Sequence, residues 1–271
     1  MSTSSQTVVL TGRSASERWR SVSAWGLGLA AMAAIELAVY PSIAKSGAAM
    51  QQYVDQWPEA FKQAFGLQDY ATGAGFLNAE MFSMIVPLGL IAVALGAAAA
   101  ATAGEEERGT LDLLMSLPVR RWNVVLAKTL GMVIGVVVVG VVLVVTIVIG
   151  APMVDLEVTA GHVTAATLMC GLLGLLFGAV GLLLGALTGH RAVALGAGMG
   201  LALAAFLLNV LAPMADWLTP WQKLSPFYWA LDNKPLASGV DWAGAGLMLG
   251  LTAMLVAAAA VAFERRDIST R

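Results

Sequence analysis

The stretch VVLAKTLGMVIGVVVVGVVLVVTIVIG, residues 124–150, carries a single charged side chain, that of Lys128. A helix that crosses the ~30 Å hydrocarbon core of a bilayer needs about 20 apolar residues in succession. The stretch lacks the alternation of apolar and polar residues that marks a strand of a membrane β-barrel. It therefore predicts a membrane-spanning α-helix.

Similar apolar blocks recur along the chain. Its residues are 59% hydrophobic and 12% charged, and its mean hydropathy is +0.80, which leaves too little polar surface for a soluble globule. We therefore predict an all-α integral membrane protein that crosses the cell (inner or plasma) membrane several times. The six predicted spans are residues 22–40, 81–103, 124–150, 164–188, 193–215 and 242–263.

The distribution of basic residues predicts the orientation of these spans. If the N-terminus is cytoplasmic, eleven of the 15 basic residues fall in cytoplasmic segments, and the opposite side keeps only Lys45, Lys62, Lys223 and Lys234. Basic residues favour the cytoplasmic side of a membrane protein. Both termini are thus expected in the cytoplasm.

The spans divide the chain into segments. Residues 1–21 form a cytoplasmic tail, in which the S-x-x-E capping box at 14–17 predicts a short interfacial helix. The transmembrane domain covers residues 22–263, and residues 264–271 form a cytoplasmic C-terminal tail. The external loop 41–80 has a helical pattern and is either a small lid or a connector. The external loop 216–241, rich in tryptophan and proline, is typical of an interfacial belt with broken helical turns.

The longest polar break between early spans is GEEERGTLDLLMSLPVRRWN, residues 104–123. Thr110 can cap a short helix on which Leu111, Leu114 and Met115 share one face, and Pro118 ends it. So short a helix is unstable alone in water, so its apolar face must meet a partner. The three preceding acids disfavour an anionic lipid surface, and we therefore expect a protein partner.

The pattern E-E-x-R-G-T-L-x-L-L-x-S-L-P-V-x-R-W in this loop resembles the first cytoplasmic loop of ABC-2 type transporter permeases, the six-helix membrane subunits of ATP-driven exporters. The S-P-F-Y-W segment before the last span and the F-E-R-R-D-I ending extend the resemblance over the whole chain. It implies a short amphipathic coupling helix, between helices 2 and 3, that docks on a separate ATPase. The residues implied in this contact are Glu105, Glu107, Arg108, Gly109, Thr110, Leu111, Leu114, Pro118 and Arg121.

The resemblance also implies the partners. The sequence contains no G-x-x-x-x-G-K-[ST] motif, so ATP and Mg are expected on two copies of a partner ATPase, and no cofactor or metal is expected on this chain. A second permease copy or a related permease would complete the membrane part, and no nucleic acid is expected. The implied function is export of a hydrophobic or amphipathic, drug-like substrate, whose identity the sequence does not select.

Few residues within the spans have side chains suited to catalysis or to polar ligand contacts. Glu36 either reaches the external interface or lines an exit path, and Asn209 either bonds a neighbouring helix or contacts a ligand. The alternatives to a permease are a passive channel, a scaffold subunit of another complex and, less favoured, an intramembrane enzyme. A channel has no use for a docking helix, and an enzyme would need facing polar residues within the spans, which hold little of this kind beyond Glu36, Asn209 and a few threonines. A glycine stripe in the fourth span, beside the only cysteine, Cys170, predicts close helix packing: Gly171, Gly174, Gly178, Gly181 and Gly185.

Overall fold

The computed structural model describes residues 3–67, 69–101 and 121–265, and these ranges contain helices and turns without a strand. Five helices are long and apolar enough to cross a membrane, and a bent pair supplies a sixth candidate. The prediction of an all-helical membrane protein is therefore confirmed. The candidate spans are Trp19–Lys45, Gly73–Phe82 with Ile85–Ala100, Trp122–Val154, Ala160–Thr188, Arg191–Met214 and Trp242–Arg265.

The first helix, α1, is longer than the sequence predicts. It runs without a break over Thr3–Lys45 and contains Pro41, where we expected the external loop to begin. The S-x-x-E segment at 14–17 lies inside α1 and does not start a separate helix, and the candidate span within α1 begins at Trp19. A proline removes one backbone donor, and membrane helices tolerate this because neighbouring groups satisfy the freed carbonyl.

The segment after α1 is mostly helical. Helix α2 covers Gly47–Asp55, and α3 covers Glu59–Phe65 with Pro58 just before its first turn. Aromatic rings follow one another along both helices, with centroids 5.8, 5.1 and 4.6 Å apart from Tyr53 through Trp57 and Phe61 to Phe65. The helical pattern in this part of the predicted loop 41–80 is thus confirmed.

The second span is broken, whereas the sequence predicted a single helical span over 81–103. Helix α4 (Gly73–Leu77) continues as a π-helix over Asn78–Phe82, and α5 (Ile85–Ala101) follows at an angle of 41°. The N–H of Ser83 bonds the carbonyl of Asn78 at 2.7 Å, five residues back. Pro87 cannot donate to the carbonyl of Ser83, so the α-helical ladder is interrupted at the bend.

The remaining spans match their predicted positions within a few residues. Helix α6 is Arg121–Gly150, with a 3₁₀ turn to Val154; α7 is Ala160–Thr188; α8 is Arg191–Leu211, with a 3₁₀ turn to Met214; and α11 is Trp242–Arg265. Helix α7 lies at the centre, packed against α5, α6, α8 and α11. Gly189 ends it in a left-handed conformation (φ 69°), which permits the tight turn into α8.

Glycines of α7 allow α5 to approach closely. A Cβ placed on Gly174 would lie 2.9 Å from the backbone oxygen of Leu90, and one on Gly178 would lie 2.9 Å from the Cβ of Ala94. Larger side chains at these positions would therefore push the two helices apart. The packing role predicted for the stripe is confirmed at these two glycines.

The segment between α8 and α11 folds as short broken turns, as predicted. It contains a 3₁₀ helix over Thr219–Leu224, α9 (Pro226–Leu231) and α10 (Pro235–Ser238). The hydroxyl of Ser225 accepts from the N–H of Phe227 at 3.2 Å, which caps α9, and donates to the carbonyl of Ala205 in α8 at 2.7 Å. Phe227 is fully buried, so the start of α9 packs into the helix bundle, whereas Trp221 and Leu224 of the preceding 3₁₀ helix are exposed.

The chain direction of the spans defines two ends of the bundle. The capped end carries α2, α3, α4 and the segment from Thr219 to Ser238. The loop end carries the end of α5, the start of α6, the α7–α8 turn and the end of α11. Among the described basic residues, Lys45, Lys62, Lys223 and Lys234 lie at the capped end, and Arg13, Arg18, Arg20, Arg121, Lys128, Arg191 and Arg265 lie toward the loop end.

Candidate functional site

The predicted coupling helix lies outside the described residues. Of the nine residues that we expect to contact an ATPase, Glu105, Glu107, Arg108, Gly109, Thr110, Leu111, Leu114 and Pro118 fall within residues 102–120. The ninth, Arg121, is the first residue of α6. Helices α5 and α6 pack against each other, so residues 102–120 connect two neighbouring helices at the loop end.

The helix that follows these residues is fixed to the last span. Lys128 on α6 is 6% exposed, and its Nζ lies 5.5 Å from the centre of the Phe263 ring on α11. An ammonium group over an aromatic face is stabilised by the ring quadrupole. The contact joins α6 and α11 near the loop end, where any partner bound to residues 102–120 would act.

Two carboxyl groups and one phenol meet at the capped end, and we call Glu36, Tyr70 and Glu80 the carboxyl cluster. The hydroxyl of Tyr70 donates to Oε1 of Glu80 at 2.6 Å. Glu36, half-buried on α1, interacts electrostatically with both partners. Burial and the bond to Glu80 raise the pKa of Tyr70, so its hydroxyl keeps its proton and remains a donor. The bond therefore ties the residues before α4 to the π-helix of the second span, whereas Glu36 on α1 faces the like charge of Glu80.

Aromatic rings hold the cluster in place. Phe76 of α4 is fully buried, and its ring centre lies 5.3 Å from that of Tyr40 and 5.8 Å from that of Tyr70. Tilted and edge-to-face rings at these distances attract each other. Tyr40 lies one turn beyond Glu36 on α1, so the same contacts that pack α4 against α1 also position the carboxyl groups.

Asn209 lies elsewhere at the capped end, near the end of α8. The Nε2 of Gln222 donates to its backbone oxygen at 3.2 Å and lies 3.4 Å from its Oδ1. Gln222 is 8% exposed. Asn209 is thus bonded to the segment that follows α8, and the structure places it and Glu36 in separate groups of residues.

A polar cavity of about 100 Å³ adjoins Asn209. Neutral amides and a hydroxyl supply most of its polar lining, from Gln63, Asn78, Ser83, Asn209 and Gln222, with Asp232 and Lys234 adding charge. A second cavity of about 240 Å³ lies beside it, and Gly66, Asn78 and Lys234 line both. Within the described residues, no group of three or more His, Cys, Asp or Glu is placed to hold a metal ion.

Several of these residues were missed by the sequence reasoning. Glu80 was taken only as the end of a loop, because the predicted second span began one residue later. The π-helix places its carboxyl group beside Glu36 on a neighbouring helix. Lys234 and Asp69 form an ion pair across 165 positions of sequence, which no local pattern indicates.

Comparison with known proteins adds the family. A search of curated proteins found no match. The sequence model of the ABC-2 family transporter proteins matches residues 12–268 and so includes every described span and the polar residues 102–120. The resemblance noted in the loop is thereby confirmed over nearly the whole chain. The protein belongs to the ABC-2 family and is a multi-pass membrane permease of an ABC-type transporter, whose assembly includes a partner ATPase.

Proposed function

We propose that this permease couples ATP hydrolysis on a separate nucleotide-binding subunit to the export of an amphipathic or hydrophobic substrate. The observation that carries the proposal is the family match, which spans a sequence of six apolar helices that itself lacks a phosphate-binding motif. A chain without such a motif depends on a partner for nucleotide binding.

The coupling element is the helix predicted within residues 104–123. Two observations support it. The helices on either side of residues 102–120, α5 and α6, pack against each other, and the contact of Lys128 with Phe263 ties α6 to the last span. A displacement of this loop would therefore move α6 and α11 together.

The proposed orientation places the loop end in the cytoplasm and the capped end outside. The division of basic residues between the two ends supports this orientation, because arginine and lysine are retained on the cytoplasmic side. The assembly would contain two permeases, identical or related, and two ATPase copies. Export then means movement from the loop end toward the capped end.

The test is association with the ATPase. The permease is co-expressed with a tagged ABC ATPase from the same source, purified in lipid and analysed for a stoichiometric complex. Leu114→Asp, on the apolar face of the predicted helix, should abolish the complex and the transport, because a charge in an apolar groove costs several kcal/mol without a partner. Ser116→Asp, on the polar face, is the matched control and should retain the complex.

The outcomes separate the parts of the proposal. Undiminished binding of the ATPase to Leu114→Asp, with normal membrane insertion, would show that this loop is not the docking element. Absence of any ATPase complex in the unmodified protein would contradict the ATP-driven function itself. Stimulation of ATP hydrolysis by amphipathic compounds, measured on the purified complex, then identifies the cargo class.

A further inference from the structure

At the capped end, an ion pair joins the segment between α3 and α4 to the turn between α9 and α10. The Nζ of Lys234, between α9 and α10, lies 3.0 Å from Oδ2 of Asp69, between α3 and α4. The Lys234 side chain is 44% exposed and that of Asp69 is 63% exposed. Both residues also line the larger cavity, so the pair lies at its mouth, with one side toward solvent.

The backbone at Lys234 is unusual. Its φ and ψ angles are 48° and 69°, a left-handed conformation that side chains other than glycine rarely adopt. Three backbone hydrogen bonds maintain it, from its N–H to Leu231 and from Ala237 and Ser238 to its carbonyl. A strained residue kept in place by its surroundings is typical of a functional position.

The cavity behind the pair is suited to water and uncharged polar groups. The larger cavity, at whose mouth the pair lies, shares Gly66, Asn78 and Lys234 with the smaller cavity beside it. The lining of the smaller cavity, to which Asp69 does not belong, offers amide and hydroxyl groups from α3, the π-helix, α8 and the segment after α8. Cavities with several polar partners hold ordered water. Helix α5 begins next to Ser83, at the bend of the second span, so the cavity reaches the break in that span.

We propose that the Lys234–Asp69 ion pair is a latch that closes a polar vestibule within one permease chain. When the pair opens, the turn that carries Lys234 moves away from Asp69 while α9 and α10 stay packed, and water enters as far as Ser83. An exposed ion pair contributes little to stability, so this closure is easily reversed. The proposal goes beyond the proposed function and does not depend on the orientation of the chain in the cell.

The experiment measures how fast a cysteine in the vestibule reacts. Ser83→Cys is introduced with Cys170 replaced by alanine, and the protein is placed in lipid nanodiscs, where both ends are accessible. Two water-soluble methanethiosulfonate reagents are used, one anionic and one cationic. Removal of the latch by Lys234→Met should raise the reaction rate of both reagents by about two- to fivefold, the range by which an exposed ion pair shifts an equilibrium.

A matched control is available in the same region. Lys62 pairs with Glu59 at 2.7 Å within α3, so Lys62→Met removes an ion pair at the capped end without separating two segments. Its rates should equal those of the parent. The charge-exchanged variant Lys234→Asp with Asp69→Lys should return the rates toward the parent values.

Three results would overturn the latch. Rates that do not change in Lys234→Met would exclude it, and so would equal acceleration in Lys62→Met. Acceleration of one reagent with slowing of the other would show an effect of local charge alone. Cys170 is fully buried, so its lack of reaction in Lys234→Met with Ser83 retained verifies that the variant is folded.

Discussion

Tyr70 donates a 2.6 Å hydrogen bond from its hydroxyl to Oε1 of Glu80, across the turn that leads into the broken second span. The phenol is 8% exposed, so its removal leaves a carboxyl group in a partly desolvated site without that donor. The bond holds the residues just before α4 against the π-helix that follows it.

Replacement of this phenol should lower stability in a pH-dependent way. Tyr70→Phe should cost about 1–3 kcal/mol at neutral pH. The pKa of Tyr70 is raised above its unfolded value of about 10, so its contribution is complete below pH ~10 and is lost as the pH rises further. Thermal unfolding followed by tryptophan fluorescence should show a constant difference at pH 7–9 that narrows above pH 10. A difference that widens there would contradict the assignment.

The contact between α7 and α5 predicts unequal effects of alanine along the glycine stripe. Gly174→Ala places a Cβ 2.9 Å from the backbone oxygen of Leu90, whereas at Gly171 the nearest atom is a side-chain carbon of Val136 at 3.4 Å. We expect a loss of about 1–3 kcal/mol for Gly174→Ala and little change for Gly171→Ala. The temperature at which buried Cys170 becomes reactive toward a thiol dye measures the stability of both variants. Equal melting temperatures would show that the helices adjust freely.

The orientation is tested with single cysteines in place of Cys170. Ser116→Cys and Ser269→Cys should resist an impermeant thiol reagent in intact cells, and Ser46→Cys, exposed after α1, should react. Lysis should make the first two reactive. Labelling of position 116 from outside would reverse the proposed orientation.

The role of the carboxyl cluster in export is tested at Glu36. If it faces the exit path, Glu36→Gln should retain expression and basal ATP hydrolysis but weaken transport of quaternary ammonium compounds more than that of neutral compounds of similar size. Glu59→Gln, which removes an exposed acid from α3, is the control. Equal loss or no loss for both cargo types would assign Glu36 a purely interfacial role.

The cap of the predicted coupling helix provides a graded test. Thr110→Ala should cost about 1 kcal/mol of helix stability and weaken the ATPase complex less than Leu114→Asp does. Thr110→Ser retains a capping hydroxyl and should match the parent protein. Affinity measured by titration of the ATPase distinguishes the three.

The sequence predicted the membrane class and most span positions because apolar length is a local property. It failed at the second span, because Asn78 and Glu80 read as the end of a polar loop although they form a π-helix that continues into the span. It also failed at Pro41, because a proline reads as a loop boundary although α1 continues past it. The carboxyl cluster and the Lys234–Asp69 pair depend on contacts between distant segments, which only the packed helices determine.

Helix α1 also has a mechanical consequence. Its 43 residues give a length of about 65 Å, roughly twice the hydrocarbon thickness, and the part before Trp19 extends about 24 Å beyond the spanning segment. A rigid rod that pivots in the membrane magnifies small rotations at its free end. A change of about 10° in the tilt of α1 would displace Thr3 by about 4 Å relative to Trp19. A spin label near the N-terminus therefore reports the tilt of the first span.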